Sequence, residues 1–228
     1  MQPIKTIQVR LTPAQDRAPA KVYVLRPRGT LYWGGAGLDG DYISPTAKAF
    51  KLAGISSFRL GLTNTATKTF LGDAGTFVDA LRAGLTIRYE DSGEWVIKSG
   101  MSPSAAQFNL IGYSYGSLLA AQTANFYASR GHFVDHLVLI GSPIDAKFLR
   151  KLRTHKHIRK VIVIDLLEHG DPIFAGMSQL ELIGASPVLA AQMRAQMGYG
   201  HFYYADMTSD LPARLDALAA RIVAEGVA

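Results

Sequence analysis

The 228 residues contain no cysteine, which rules out disulfide staples and thiol chemistry. No run of about 18 apolar residues occurs, so no segment reads as a membrane-spanning helix. The first ten residues, MQPIKTIQVR, lack the apolar core of a signal peptide. The expectation is a cytoplasmic protein, or one exported by a route without an N-terminal signal. Charged residues make up 18% against 48% hydrophobic, a balance that excludes disorder. No repeat, linker or second domain interrupts the chain, so residues 1–228 read as one domain with a sizeable core. The histidines fall at no convincing metal-ligand spacing with carboxylate support, and no metal site is expected.

Acid is missing from one stretch in particular. Residues 147–160, KFLRKLRTHKHIRK, hold seven Lys/Arg and no Asp or Glu. Without them the chain has 17 basic against 18 acidic residues, so the net charge of +6 is local. One reading is a solvated helix face with a basic C-terminal end. The other is a patch for an anionic membrane surface. Phe148 is the only aromatic in the run, so a nucleic-acid partner is not expected.

Elsewhere, short apolar runs alternate with helical patterns. Strands are predicted at 4–11, 21–26, Thr30–Trp33, Ile55–Leu60, Phe108–Ile111, Asp135–Ile140 and Arg159–Leu167, with a short one at Glu94–Lys98. Helices are predicted from Ser44-Pro45 to Leu52, at 76–84, at 117–129, through the basic run, and as two pieces of 176–197 broken at Ser186-Pro187. A last helix follows Ser209 or Asp210, with Leu211, Leu215, Leu218 and Ile222 on one face. Alternation of this kind implies an α/β fold, a mostly parallel central sheet with helices on both faces. The first two strands form an antiparallel start.

Residues 108–116, FNLIGYSYG, carry the chemistry. An apolar strand runs into Gly112-Tyr113-Ser114-Tyr115-Gly116, a G-x-S-x-G turn, and a helix follows, ending near Gly131. Such a turn strains the serine at the top of a sheet. Its glycines are needed where neighbouring chain leaves no room for side chains. This stretch resembles the nucleophile elbow of the α/β-hydrolase superfamily of lipases, esterases and thioesterases.

The resemblance implies a serine hydrolase that needs no cofactor. A serine hydroxyl requires a base, and the base an orienting acid. The superfamily order is serine, acid, histidine, and the chain offers Ser114, Asp171 and His201. Asp171, in His-Gly-Asp-Pro after a strongly apolar strand, resembles the family's acid loop. Asp145, after the preceding strand, is its rival, and Asp165 and Glu168 are weaker candidates. His201, in Gly-His-Phe before the last helix, stands where the family carries its base. The oxyanion donors implied are the amide of Tyr115 and one from Gly34-Gly35-Ala36-Gly37, Ala36 first and Gly35 second. Tyr113, Tyr199, Phe202, Leu189 and Met193 are the expected substrate-binding side chains. The apolar segment 173–197 is either a cap over a hydrophobic acyl group or a packed helix pair.

Three alternatives follow from the same residues. The Gly-Gly-Ala-Gly-x-Asp-Gly-Asp loop resembles that of secreted bacterial phospholipase effectors of the type VI class. A non-catalytic relative could bind a ligand in the same pocket. Gly35-x-Gly37-x-x-Gly40 after a strand, with Arg59 at the end of the next one, fits an NADP site, although Pro45 starts the helix well after Gly40.

Overall fold

The computed structural model describes residues 27–35, 40–55, 57–60 and 104–228. The expected strands at 4–11, 21–26 and Glu94–Lys98, and the helix at 76–84, lie outside the described residues. So do Ala36 and Gly37.

Among the described residues five strands form one parallel sheet: β1 (Gly29–Trp33), β2 (Phe58–Leu60), β3 (Phe108–Tyr113), β4 (Val134–Ile140) and β5 (Ile158–Ile164), in the order β2-β1-β3-β4-β5. Ile111 of β3 lies opposite Tyr32 of β1 on one side and Val138 of β4 on the other. The chain first adds β2 to one side of β1, then β3 to the other. This reversal of strand order falls between β1 and β3, and the C-terminal side of such a switch point is where open α/β sheets bind ligands.

Both sheet faces are covered, which is why the strands read as nearly continuous apolar runs. Side chains alternate between the faces at the strand period of two. Phe108, Leu110, Leu137 and Leu139 point to one side, against α2 (Tyr115–Ser129) and α3 (Ala146–Thr154). Ile111, Tyr113, Val138 and Ile140 point to the other, with Phe50 of α1 (Ile43–Leu52) and Leu211, Leu215, Leu218 and Ile222 of α5 (Leu211–Ala224). Helix α2 is apolar around most of its circumference because nearly all of it is buried. Burying each Leu or Ile of the α5 face stabilises the fold by about 1.5–3 kcal/mol.

Several boundaries differ from expectation for local reasons. β2 starts at Phe58, because Ser57 has a positive φ of 50° that breaks extended backbone before it. α1 starts one residue before Ser44, with Tyr42 in the cap position, and Pro45 occupies its first turn, where a missing N–H costs nothing. β5 ends at Ile164, and Leu167–His169 turns into a 3₁₀ helix.

The segment 176–197 is not two helices. It forms one, α4 (Gln179–Ala195), with Pro187 inside it. Proline removes the hydrogen bond to the carbonyl four residues earlier, that of Ile183. Ile183 and Pro187 are both exposed, so water can satisfy that carbonyl and the helix continues. A capping box starts it: Ser178 N–H donates to Glu181 Oε2 at 2.6 Å, and Glu181 N–H to Ser178 Oγ at 3.2 Å. The inner side of α4 joins Ile173, Phe174 and Met177 in a third apolar cluster, separate from the two sheet faces.

The basic run divides between α3 and the start of β5. α3 leaves the C-terminal end of β4 and returns to the N-terminal end of β5, so its basic C-terminal half lies toward the end of the sheet away from Ser114. Within the basic run, Arg159 pairs with Asp135 at 2.7 Å and Lys160 with Glu225 at 2.8 Å.

Candidate active site

Ser114 sits between β3 and α2 with φ 54° and ψ −125°, a conformation that side chains rarely adopt and that costs on the order of 1–3 kcal/mol. The surroundings enforce it. Ser114 N–H donates to Ile140 O at 2.8 Å, tying the turn to the end of β4. A methyl at Gly112 would fall on the backbone of Gly116 and Ser117, and one at Gly116 on the carbonyls of Trp33 and Gly34. Strand, turn and helix can pack this closely only with glycine on both sides of the serine.

The hydroxyl of Ser114 lies 2.6 Å from His201 Nε2, and His201 Nδ1 lies 2.9 Å from Asp171 Oδ2. A carboxylate on one side of the ring holds a proton on Nδ1, which leaves Nε2 as the acceptor facing the serine. Asp171 follows the 3₁₀ turn after β5, and its other oxygen accepts from Ile173 N–H at 2.8 Å. Its side chain is fully buried. Gly141, with φ 51° at the end of β4, gives this pair room: a Cβ there would come within 3.3 Å of Asp171 Oδ2 and 3.5 Å of His201 Cε1.

The rival acids are occupied elsewhere. Asp145 caps α3, its Oδ1 accepting from the amides of Lys147 and Phe148. Asp165 accepts from Ala175 N–H at 2.9 Å, and burial raises its pKa. Glu168 is exposed beside His169.

Of the expected oxyanion donors, Tyr115 is the first residue of α2, so its N–H has no acceptor within that helix. Gly35 does lie against the nucleophile, since a Cβ on it would come 3.3 Å from that of Ser114. Its N–H, however, already donates to the Tyr42 hydroxyl at 2.7 Å, which corrects Gly35 as a donor. The loop folds back on the cap residue of α1, and the phenol takes the amide.

The expected substrate-binding residues separate in the same way. Tyr113 is buried, and its hydroxyl donates to the carbonyl of His201. Burial pushes that phenol well above its ordinary pKa, so it stays a donor. Tyr113 therefore supports the histidine loop through its hydroxyl. Leu189 is also buried, in the third cluster beneath α4. Met193 is half-buried, Tyr199 is exposed, and the half-buried Phe202 meets the His201 ring edge-on at 5.6 Å.

Two groups that sequence reasoning passed over bear on the site. Tyr42 has no sequence signal beyond an aromatic near a helix start. Gln192, buried on α4, touches both the acid and the histidine loops. A glutamine in a helix carries no mark that separates it from a surface residue.

Residues 100–179 match the family of the thioesterase domain, which belongs to the α/β-hydrolase superfamily. The match covers about a third of the chain and runs from before β3 to the first residue of α4, including Ser114 and Asp171 but not His201. The superfamily resemblance of the elbow and the α/β fold agree with it. Searches of the curated proteins and of the solved structures found no match.

Proposed function

We propose that this α/β-hydrolase is a serine hydrolase that transfers the acyl group of a hydrophobic ester or thioester to water. The observation that carries the reading is the continuous hydrogen-bonded chain from Ser114 through His201 to a fully buried Asp171, with the serine held on a strained turn.

In this reading His201 Nε2 takes the Ser114 proton as Oγ attacks the acyl carbonyl. Asp171 orients the imidazole and stabilises the imidazolium that forms. The developing oxyanion is received by Tyr115 N–H at the positive end of α2 and by an amide of the loop after β1. His201 returns the proton to the leaving oxygen or sulfur, and a water then repeats the sequence on the acyl-enzyme. A thiol, with a pKa of about 8.5, leaves with less help than an alcohol, so the same three residues serve both substrate types. The match to the thioesterase domain supports the thioester side. The half-buried Phe202, whose ring meets that of His201 edge-on, supports a hydrophobic acyl group.

The test has two parts. A fluorophosphonate should label wild-type protein at Ser114, and Ser114→Ala should remove labelling and turnover while the far-UV circular dichroism is unchanged. Labelling elsewhere, or none in folded protein, rejects the mechanism. Turnover should then rise from acetyl to medium-chain acyl groups, on p-nitrophenyl esters and matched thioesters alike. Each further buried CH₂ is worth up to about 0.8 kcal/mol. Acetyl as the best group would reject the hydrophobic acyl site.

A further inference from the structure

The buried carboxamide of Gln192 makes two hydrogen bonds that no other described side chain duplicates. Its Nε2 donates to Gly170 O at 2.9 Å, one residue before Asp171. Its Oε1 accepts from the backbone N–H of His201 at 2.9 Å. The two loops joined this way lie 30 residues apart in sequence at their acid and base, and Gln192 reaches them from a third element, α4. Gly200 is shaped to admit it. That residue has φ 60°, and a Cβ there would fall on the Gln192 carboxamide. Gln192 is 3% exposed, so replacing it without replacing its bonds would leave the His201 N–H buried and unpaired.

We infer that Gln192 is a positioning residue for the proposed catalytic pair: it sets the distance between the Asp171 carboxylate and the His201 imidazole by clamping their backbones. It does not touch the reacting atoms. The inference rests on the reading of Ser114, His201 and Asp171 as the catalytic chain. A carboxamide suits the task because it offers a donor and an acceptor on one rigid plane, and the two backbone groups it meets are a carbonyl and an amide. Tyr113 holds the carbonyl of His201 on the other side. The histidine is thereby fixed through both halves of its own peptide backbone, while Asp171 and Ser114 hold its ring.

Gln192→Met keeps the length and volume of the side chain and removes both hydrogen bonds, so it separates clamping from packing. The expected result is a kcat lower by about 10- to 100-fold, the cost of a misplacement of order 1 Å. KM should stay within about twofold, since no substrate contact is lost. The proton NMR resonance of His201 Nδ1–H should lie far downfield in wild-type protein and move or broaden in the variant. In wild-type protein the His201 backbone amide should also be protected from hydrogen exchange. Unchanged kcat with an unmoved Nδ1 proton overturns the inference, as does rapid exchange of the His201 amide, which requires no variant at all. Should wild-type protein fail to label with fluorophosphonate, the catalytic reading is lost. The NMR comparison would still decide whether Gln192 holds the two loops.

Discussion

Among the described residues two aspartates are buried, one at each end of the sheet, and their settings differ. Asp135, near the N-terminal end of β4, accepts from Phe108 N–H at 2.8 Å and pairs with Arg159 at 2.7 Å. Asp171, past the C-terminal end of β5, accepts from Ile173 N–H at 2.8 Å and pairs with His201 at 2.9 Å. Each accepts from a backbone amide and faces cationic or potentially cationic groups, Asp135 also having Arg28 at 4.0 Å. What separates them is the partner's chemistry. A guanidinium keeps its protons at any working pH, so Asp135 can only hold strands and cation together. An imidazole, unlike a guanidinium, has a second nitrogen that can accept, and His201 presents it to Ser114 at 2.6 Å. Burial of a carboxylate therefore does not mark a site; the identity of the group it orients does.

The sharpest test of that contrast removes each charge in turn. Asp171→Asn should lower kcat by about 10⁴, because the wrong imidazole tautomer is favoured, with the melting temperature little changed. Asp135→Asn should leave kcat within a few-fold. Equal losses of activity would mean that the two carboxylates are not functionally distinct.

Stability should rank the other way. Asp135→Ala removes the acceptor of a buried amide and should cost about 2 kcal/mol in urea unfolding. Arg159 is largely exposed and can be resolvated, so the loss stays below that of a fully buried pair. Asp145→Ala, at the cap of α3, should cost about 1 kcal/mol and spare activity. A large activity loss at Asp145 would reopen it as the acid.

The smallest effect concerns pH. His136, beside Asp135, is held below its ordinary pKa mainly by burial, and its Nδ1 is 2.8 Å from Asn109 Oδ1. A histidine with a depressed pKa binds its proton more readily when unfolded. Its stabilising contribution is therefore present above pH of about 6.5 and is lost as pH falls through the range below it. His132 and His155 are shifted in the same direction. The midpoint in urea should fall on acidification from pH 7.5 to 5.5, and His136→Gln should flatten the slope. A steeper slope in the variant would contradict the assignment.

Much of the framework was open to reading from local signals. Apolar strands covered on both faces carry long hydrophobic runs, and Phe108–Tyr113, Val134–Ile140 and Ile158–Ile164 stand out for that reason. The G-x-S-x-G turn is local as well, since its glycines answer to clashes within a few residues and with the adjoining strand. Ser114, Asp171 and His201 could be named in order because each follows a recognisable strand or precedes a recognisable helix. The break expected at Pro187 obscured the single helix that the Ser178–Glu181 capping box starts.

Other properties exist only once distant segments meet. Strand context alone does not tell which of Asp145 and Asp171 reaches the histidine: both follow strands, and the packing turns one toward helix α3 and the other toward His201. Gly35 reads as a free amide until Tyr42 folds back over it. Tyr113 and Leu189 read as pocket lining because aromatic and apolar residues look alike whether they face a ligand or a core. Gln192 is the clearest case. Its two partners lie 22 and 9 residues away along the chain, and a hydrogen bond is short, directional and indifferent to sequence distance. Hydrophobic period sets which face of an element is buried, so it can be read along the chain. Which polar atoms end up within 3 Å of one another is decided by the relative placement of whole elements, and only the tertiary structure contains that.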